Sequence, residues 1–151
     1  MSQTRRCDEG EIRGLLLHAD RMVLWQTVEH WDDDHLRCIT LTHADTANPL
    51  RRDHALSAIH LGEYGAQMMA IHGALLARKH SGGKLASGML TSLRDFAMTV
   101  PRIDDISGVL TGTARMLVSG ATGSIYEFEI DTGGRRLASG RVSVITLPAG
   151  G

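Results

Sequence analysis

Residues Ala55–Ala77 read ALSAIHLGEYGAQMMAIHGALLA, and Glu63 is the only charged side chain among them. The stretch is apolar or small on nearly every side. That pattern predicts a helix covered all round rather than an amphipathic surface helix. Arg78, Lys79 and His80 follow, cations that suit a helix C-terminus, and Ser81-Gly82-Gly83 then stops it. The expected helix runs from residue 55 to 79. Glycine in a helix costs about 1 kcal/mol relative to alanine. The presence of Gly62, Gly65 and Gly73, with Ala58, Ala66 and Ala70, therefore predicts that other parts of the protein pack closely on this helix. A carboxylate in such a helix loses its hydration and needs a partner or a raised pKa. Glu63 then has two readings. It takes part in chemistry, since perturbed groups cluster at sites, or it satisfies a contact with a loop or a second subunit.

Strand patterns flank the helix. Met22–Trp31 (MVLWQTVEHW) is rich in apolar and aromatic residues. Trp31-Asp32-Asp33-Asp34-His35 has turn chemistry, because Asp side chains bond nearby backbone. Leu36–Thr42 alternates, with Leu36, Cys38 and Thr40 on one face, so the two segments read as a hairpin. Asn48-Pro49 marks a loop between residues 44 and 53. After the helix, strands are expected at 85–100, 109–118, 124–130 and 137–147, with Asp131-Thr132-Gly133-Gly134 as a hairpin turn. In the 124–130 segment Tyr126, Phe128 and Ile130 share a face. Glu11–Leu17 reads as a short helical turn. The expected organisation is a flexible tail over 1–10 and a single domain over 11–151. The fold class is α+β, a curved antiparallel sheet wrapped around one long central helix.

Composition narrows the function. The chain has 151 residues, 16 basic against 17 acidic side chains and a net charge of -1. This balance offers nothing to nucleic acid or an acidic membrane surface. The eight histidines show no metal-ligand spacing, and Cys7 and Cys38 make no disulfide framework. No apolar run approaches the roughly 20 residues that span a bilayer. No nucleophile elbow, P-loop or dinucleotide fingerprint is present. No cofactor and no metal are expected, and the expected location is the cytoplasm.

Several segments together resemble the hotdog fold and, more narrowly, the 3-hydroxyacyl-acyl carrier protein dehydratases, over most of residues 15–147. His18-Ala19-Asp20-Arg21-Met22-Val23-Leu24 resembles the family's N-terminal segment. Asn48-Pro49-Leu50 resembles the loop before the helix, and Glu63-Tyr64-Gly65-Ala66-Gln67 resembles its E-x-M-A-Q motif. Gly88-Met89-Leu90, Asp95-Phe96 and Val100-Pro101 to Gly108 resemble the strand and loop that follow. Typical members carry a G-H-F-P segment whose His is the second catalytic group. Here that place reads Arg52-Asp53-His54-Ala55, nine residues before Glu63, and Ser57-Ala58 replaces a Pro-Gly pair. The chain is most similar to the shortened dehydratase-like proteins of aryl-polyene-type pathways.

The resemblance implies the elimination of water from a 3-hydroxyacyl thioester. A base removes a proton from C2 and an acid protonates the leaving hydroxyl. Glu63 is the implied acid. His54, at the approach to the helix, and His18, in the N-terminal segment, are the implied imidazoles. His60 lies three residues before Glu63 on one helix face and can orient or pair with it. Gln67 is a candidate for substrate binding, as are Ser57 and Ala58, whose N–H groups at the helix start can polarise a thioester carbonyl. His72, Trp25 and Trp31 read as core or interface residues. Met68, Met69, Met89, Met98 and Met116 read as core packing, with an acyl tunnel as the alternative. The implied partners are a second copy, paired edge to edge into a homodimer or a larger assembly of dimers, and an acyl carrier protein or coenzyme A thioester. Two other readings stay open. One is a thioesterase on the same fold, with Glu63 activating water. The other is a non-catalytic acyl-binding or heterodimer subunit, which the missing G-H-F-P segment favours.

Overall fold

The computed structural model describes residues 6–15, 23–81 and 87–147. A short helix α1 (Glu9–Leu15) precedes strands β1 (Thr27–Trp31) and β2 (His35–Thr40). The long helix α2 (Leu61–Ser81) follows, then β3 (Ser87–Met98), β4 (Leu110–Gly120), β5 (Gly123–Thr132) and β6 (Arg135–Leu147). The strands form one antiparallel sheet in the order β1-β2-β4-β5-β6-β3, so β1 and β3 are its edges.

The alternation in the strands turns one face toward the helix. Leu36, Cys38 and Thr40 are buried on β2, as are Tyr126, Phe128 and Ile130 on β5. Glycines set how closely the layers meet. A Cβ at Gly65 of α2 would lie 2.6 Å from the Phe128 ring, and one at Gly140 of β6 would lie 2.9 Å from the same ring. Phe128 is thus held between helix backbone and sheet backbone. A Cβ at Gly112 of β4 would meet Met68 Sδ at 2.7 Å and the Trp25 ring. Met68, Met69, Trp25 and Trp31 all belong to the core.

Three features differ from the sequence expectation. The first strand begins at Thr27 rather than Met22, because Gln67 Oε1 accepts from Leu24 N at 2.7 Å and Trp25 N at 3.2 Å. Of the segment read as a tail, the described residues 6–10 make backbone and capping contacts. Cys7 is buried and exchanges backbone hydrogen bonds with Val28 at 3.0 and 2.9 Å, and Asp8 caps α1 by accepting from Glu11 N at 2.8 Å. Most important, α2 is not covered all round. The sheet curves around one side and leaves a stripe open, on which Ile59, Glu63, Ala70 and Gly73 are exposed. Among the described residues nothing covers that stripe.

Candidate functional site at the start of the long helix

The approach to α2 is extended before it is helical. Arg52 and Ala55 exchange backbone bonds of 2.8 and 2.9 Å across a two-residue turn, Asp53-His54, with φ of 53° and 65°. A left-handed conformation at two non-glycine residues is costly, about 1–3 kcal/mol each. The segment then pairs with the loop after β3. Ile103 N donates to Leu56 O at 2.9 Å, Leu56 N to Asp104 Oδ1 at 2.8 Å and Ala58 N to Pro101 O at 3.0 Å. The hydrogen bond from Arg102 holds the Asp104 carboxyl well below the ordinary carboxylate range, so it stays an acceptor for Leu56. A 3-10 turn, Ala58–His60, follows, with Ser57 Oγ accepting from Ile59 N at 3.3 Å. Only then does α2 begin.

Glu63 sits in the first turn of α2, where the positive end of the helix favours a carboxylate. Its Oε1 lies 2.9 Å from His60 Nδ1, with side-chain exposures of 55% for Glu63 and 25% for His60. The expected desolvation of this carboxyl is therefore not supplied by the described residues. Gly62, its neighbour, packs on edge strand β3, and a Cβ there would lie 3.1 Å from Leu93 Cδ2 and 3.8 Å from Phe96. Glu63 thus stands at the seam between the helix and β3.

Tyr64 turns the other way, into the core. Its hydroxyl lies 3.0 Å from Thr42 Oγ1 and accepts from Asn48 Nδ2 at 3.2 Å, while its carbonyl accepts from Trp25 Nε1 at 2.7 Å. Asn48 Nδ2 also donates to Thr42 O at 2.9 Å, and its Oδ1 accepts from Leu50 N at 2.9 Å. This network clamps the start of the helix to the Asn48-Pro49 loop. Burial raises the Tyr64 pKa, against the lowering effect of its hydrogen bonds with Thr42 and Asn48.

The structure brings together only part of the sequence-derived set. His60 and Glu63 are in contact. His54 is exposed on its turn and makes no side-chain hydrogen bond among the described residues. His18 lies outside the described residues. Ala58 cannot polarise a thioester as expected, because its N–H is taken by Pro101 O; Ser57 uses its hydroxyl as a cap. The carbonyl of Gln67 is bonded to backbone at Leu24 and Trp25, which is a structural role. His72 is a core residue: it is fully buried, 2.7 Å from the Tyr126 hydroxyl through Nδ1 and 2.8 Å from Asp32 O through Nε2. That geometry assigns Nε2–H as donor and Nδ1 as acceptor. His43 is also buried, with Nε2 3.0 Å from Ile106 O and Nδ1 without a partner. Tyr64 and Asp104, which position the site, were missed by sequence reasoning. Tyr64 had a signal in its place beside Glu63, whereas Asp104 acts through a contact 48 residues away.

Among the described residues, no group of His, Cys, Asp and Glu could hold a metal ion. No helix there is long and apolar enough to cross a membrane. A groove of about 870 Å³ lies between the loop after β3 and the β5–β6 turn, lined in part by Pro101, Arg102, Ser107, Thr132 and Arg135. Neither Glu63 nor His60 lines it.

Against known proteins, the model of the ApeP-like family, described as ApeP dehydratase, matches residues 10–149. The chain belongs to the ApeP-like family. Among solved structures it is similar to the dehydratase heterocomplex ApeI:P from Xenorhabdus doucetiae. The TM-score is 0.79 and the identity 23%, over 91% of this chain and 91% of that one. A putative thioesterase from Silicibacter sp. gives a TM-score of 0.66 at 14% identity, over 93% of this chain and 92% of that one. A hypothetical thioesterase with coenzyme A from Streptococcus pneumoniae gives 0.59 at 14% identity, over 81% and 85%. No curated protein matches. The ApeP-like chain has the hotdog fold, as the resemblance implied, with dehydratases and thioesterases as its structural neighbours.

Proposed function

We propose that this ApeP-like chain is a cytoplasmic 3-hydroxyacyl-thioester dehydratase that acts on acyl groups carried by acyl carrier protein, in fatty-acid or polyene-type synthesis. It works as a homodimer whose sheets pair edge to edge. The observation that carries the reading is the placement of Glu63. The acid of the EYGAQ segment lies in the first turn of α2, bonded to an imidazole, on the stripe that the sheet leaves uncovered. Dehydration needs a proton taken from C2 and one given to the leaving hydroxyl, and a carboxyl–imidazole pair supplies both functions. The pairing is supported by the free edge of β3, where Leu93 is 39% exposed, and by Ile59, 59% exposed on the neighbouring stripe. A second sheet joined there protects the edge and covers Glu63.

Purified protein is incubated with a 3-hydroxyacyl thioester, and enoyl absorbance and free thiol are followed separately. Wild type forms the enoyl product, and Glu63→Gln lowers the rate by roughly 100-fold or more while the protein stays folded. Release of thiol without enoyl product replaces this reading with the thioesterase. Turnover that is untouched by Glu63→Gln removes Glu63 from the chemistry. A wild type that turns over neither way points to the non-catalytic subunit, consistent with the heterocomplex described for the Xenorhabdus relative.

A further inference from the structure

We infer that His60 supplies the imidazole that works with Glu63, and that it does so from the same subunit, so that one helix start carries the whole proton-transfer pair. The inference rests on the dehydratase reading above and departs from the pattern that the resemblance implied, in which the imidazole comes from a segment ahead of the helix.

Three observations carry it. First, the contact exists within one chain: His60 Nδ1 is 2.9 Å from Glu63 Oε1. Second, the backbone fixes it. Ala58 is tied to Pro101 O, His60 N donates to Ser57 O at 3.2 Å, and the three-residue spacing puts both side chains on one face. Third, four of the other described imidazoles are engaged elsewhere in the chain. His43 and His72 are buried and bonded to backbone carbonyls of Ile106 and Asp32. His35 pairs with Asp32, and His80 lies by Asp33 at the far end of the helix. His54 stands exposed on its own turn.

The pair has a free end. When Nδ1–H donates to the carboxylate, Nε2 is left with a lone pair, and it has no partner among the described residues. This arrangement, a carboxylate orienting an imidazole, prepares Nε2 as a base. The C2–H bond of the 3-hydroxyacyl thioester breaks and its proton passes to Nε2. Glu63 stabilises the resulting imidazolium. The C3–O bond then breaks, its oxygen takes the proton from Nε2 and leaves as water, and a C2–C3 double bond remains. Atoms and charge balance, and the pair returns to its starting state.

Four variants test this. In His60→Asn the amide nitrogen can take the place of Nδ1 and keep the bond to Glu63, but nothing replaces Nε2. We expect kcat to fall by about 100-fold or more with KM little changed and melting temperature kept. Should Asn fail to fold, His60→Gln takes its place: its amide nitrogen stands near the position of Nε2 but cannot act as a base, so the same loss of kcat is expected. Free imidazole in the buffer should restore turnover to His60→Ala and not to Glu63→Gln. Mixing then separates cis from trans. If the pair lies within one subunit, hybrids of Glu63→Gln with His60→Asn stay inactive. If the pair is shared across the dimer, half of the molecules are hybrids with one intact site, and about a quarter of the activity returns. That recovery, or an unimpaired His60→Asn, overturns the inference while leaving the dehydratase reading in place. A wild type without dehydratase activity overturns both.

Discussion

Gly65→Ala should destabilise the protein even though alanine is the better helix former. Ala in place of Gly inside a helix gains about 1 kcal/mol. At Gly65, however, the new Cβ would lie 2.6–2.7 Å from three atoms of the Phe128 ring, where carbon atoms rest comfortably at about 3.5–4.0 Å. The ring must therefore retreat by about 1 Å. Its retreat is restricted, because the same end of the ring also packs closely on Gly140, whose missing Cβ position lies 2.9 Å from it. Overpacking costs about 1–3 kcal/mol, and a restricted retreat places this site in the upper half. The net loss is about 1–2 kcal/mol, a fall in melting temperature of roughly 3–6 °C for a domain of this size. Gly73→Ala is the contrast: nothing lies within 4 Å of its Cβ position, and it faces the open stripe. In a lone chain the propensity gain of about 1 kcal/mol would stand alone and raise the melting temperature by roughly 3 °C, the outcome that counts against a second subunit on the stripe. A fall instead shows that a second subunit packs on the stripe. Thermal unfolding by circular dichroism at one protein concentration reads both. A Gly65→Ala protein as stable as wild type refutes the reasoning about Phe128. Adding Phe128→Leu tests the cause, since the double variant should lose less than the sum of the two.

Two further outcomes follow from the buried polar groups. Burial lowers the pKa of both His43 and His72, against the raising effect of their backbone hydrogen bonds. The unfolded chain takes up these protons near pH 6.5 and the folded chain only at lower pH. Stability is therefore complete above about pH 6.5 and falls as pH drops toward the folded values, by at most about 1.4 kcal/mol per pH unit for each histidine. Urea midpoints that stay flat between about pH 7.5 and about pH 5.5 would count against it. Tyr126→Phe removes the donor to His72 Nδ1 and leaves a buried acceptor unpaired, a loss of about 1–3 kcal/mol in denaturant titration. Tyr64→Phe should lose less, about 0.5–1.5 kcal/mol, because Asn48 Nδ2 keeps Thr42 O and Thr42 Oγ1 keeps Leu24 O.

The fold was legible where local pattern and tertiary burial agree. Period-two alternation picked out Leu36, Cys38 and Thr40 on one strand and Tyr126, Phe128 and Ile130 on another, and all six are buried. The long apolar run with cations at its end located the helix. The pattern failed where a distant partner decides the conformation. Leu56-Ser57 has nothing against helix locally, yet the bonds of Leu56 to Ile103 and Asp104 and of Ala58 to Pro101 keep it extended. The same holds for Leu24 and Trp25, whose N–H groups go to a glutamine on the helix rather than to a strand. Glu63 stood out in the sequence as a lone charge, and His60 as its neighbour at helical spacing. Which of the histidines touches the acid was a matter of backbone path, and that depends on contacts the local sequence does not contain.

The exposure of Glu63 joins the two halves of the proposed function. An apolar stripe tells only that something covers it, and the sequence pattern alone cannot say whether the cover belongs to the same chain. Here the six strands leave Ile59, Glu63, Ala70 and Gly73 open, beside an edge strand whose outer hydrogen-bonding groups have no partner strand. Gly62 packs on Leu93 of that strand, so Glu63 lies at its margin. In the proposed dimer, pairing at β3 and covering of Glu63 are therefore one event. In the lone chain, water screens the His60–Glu63 contact. Excluding that water lowers the local dielectric and strengthens the same 2.9 Å bond without moving either residue. The pair is built by the helix, while its working environment is built by assembly. On this reading the second subunit contributes the dry surroundings of the site and the first contributes both the imidazole that carries the proton and the carboxylate that orients it.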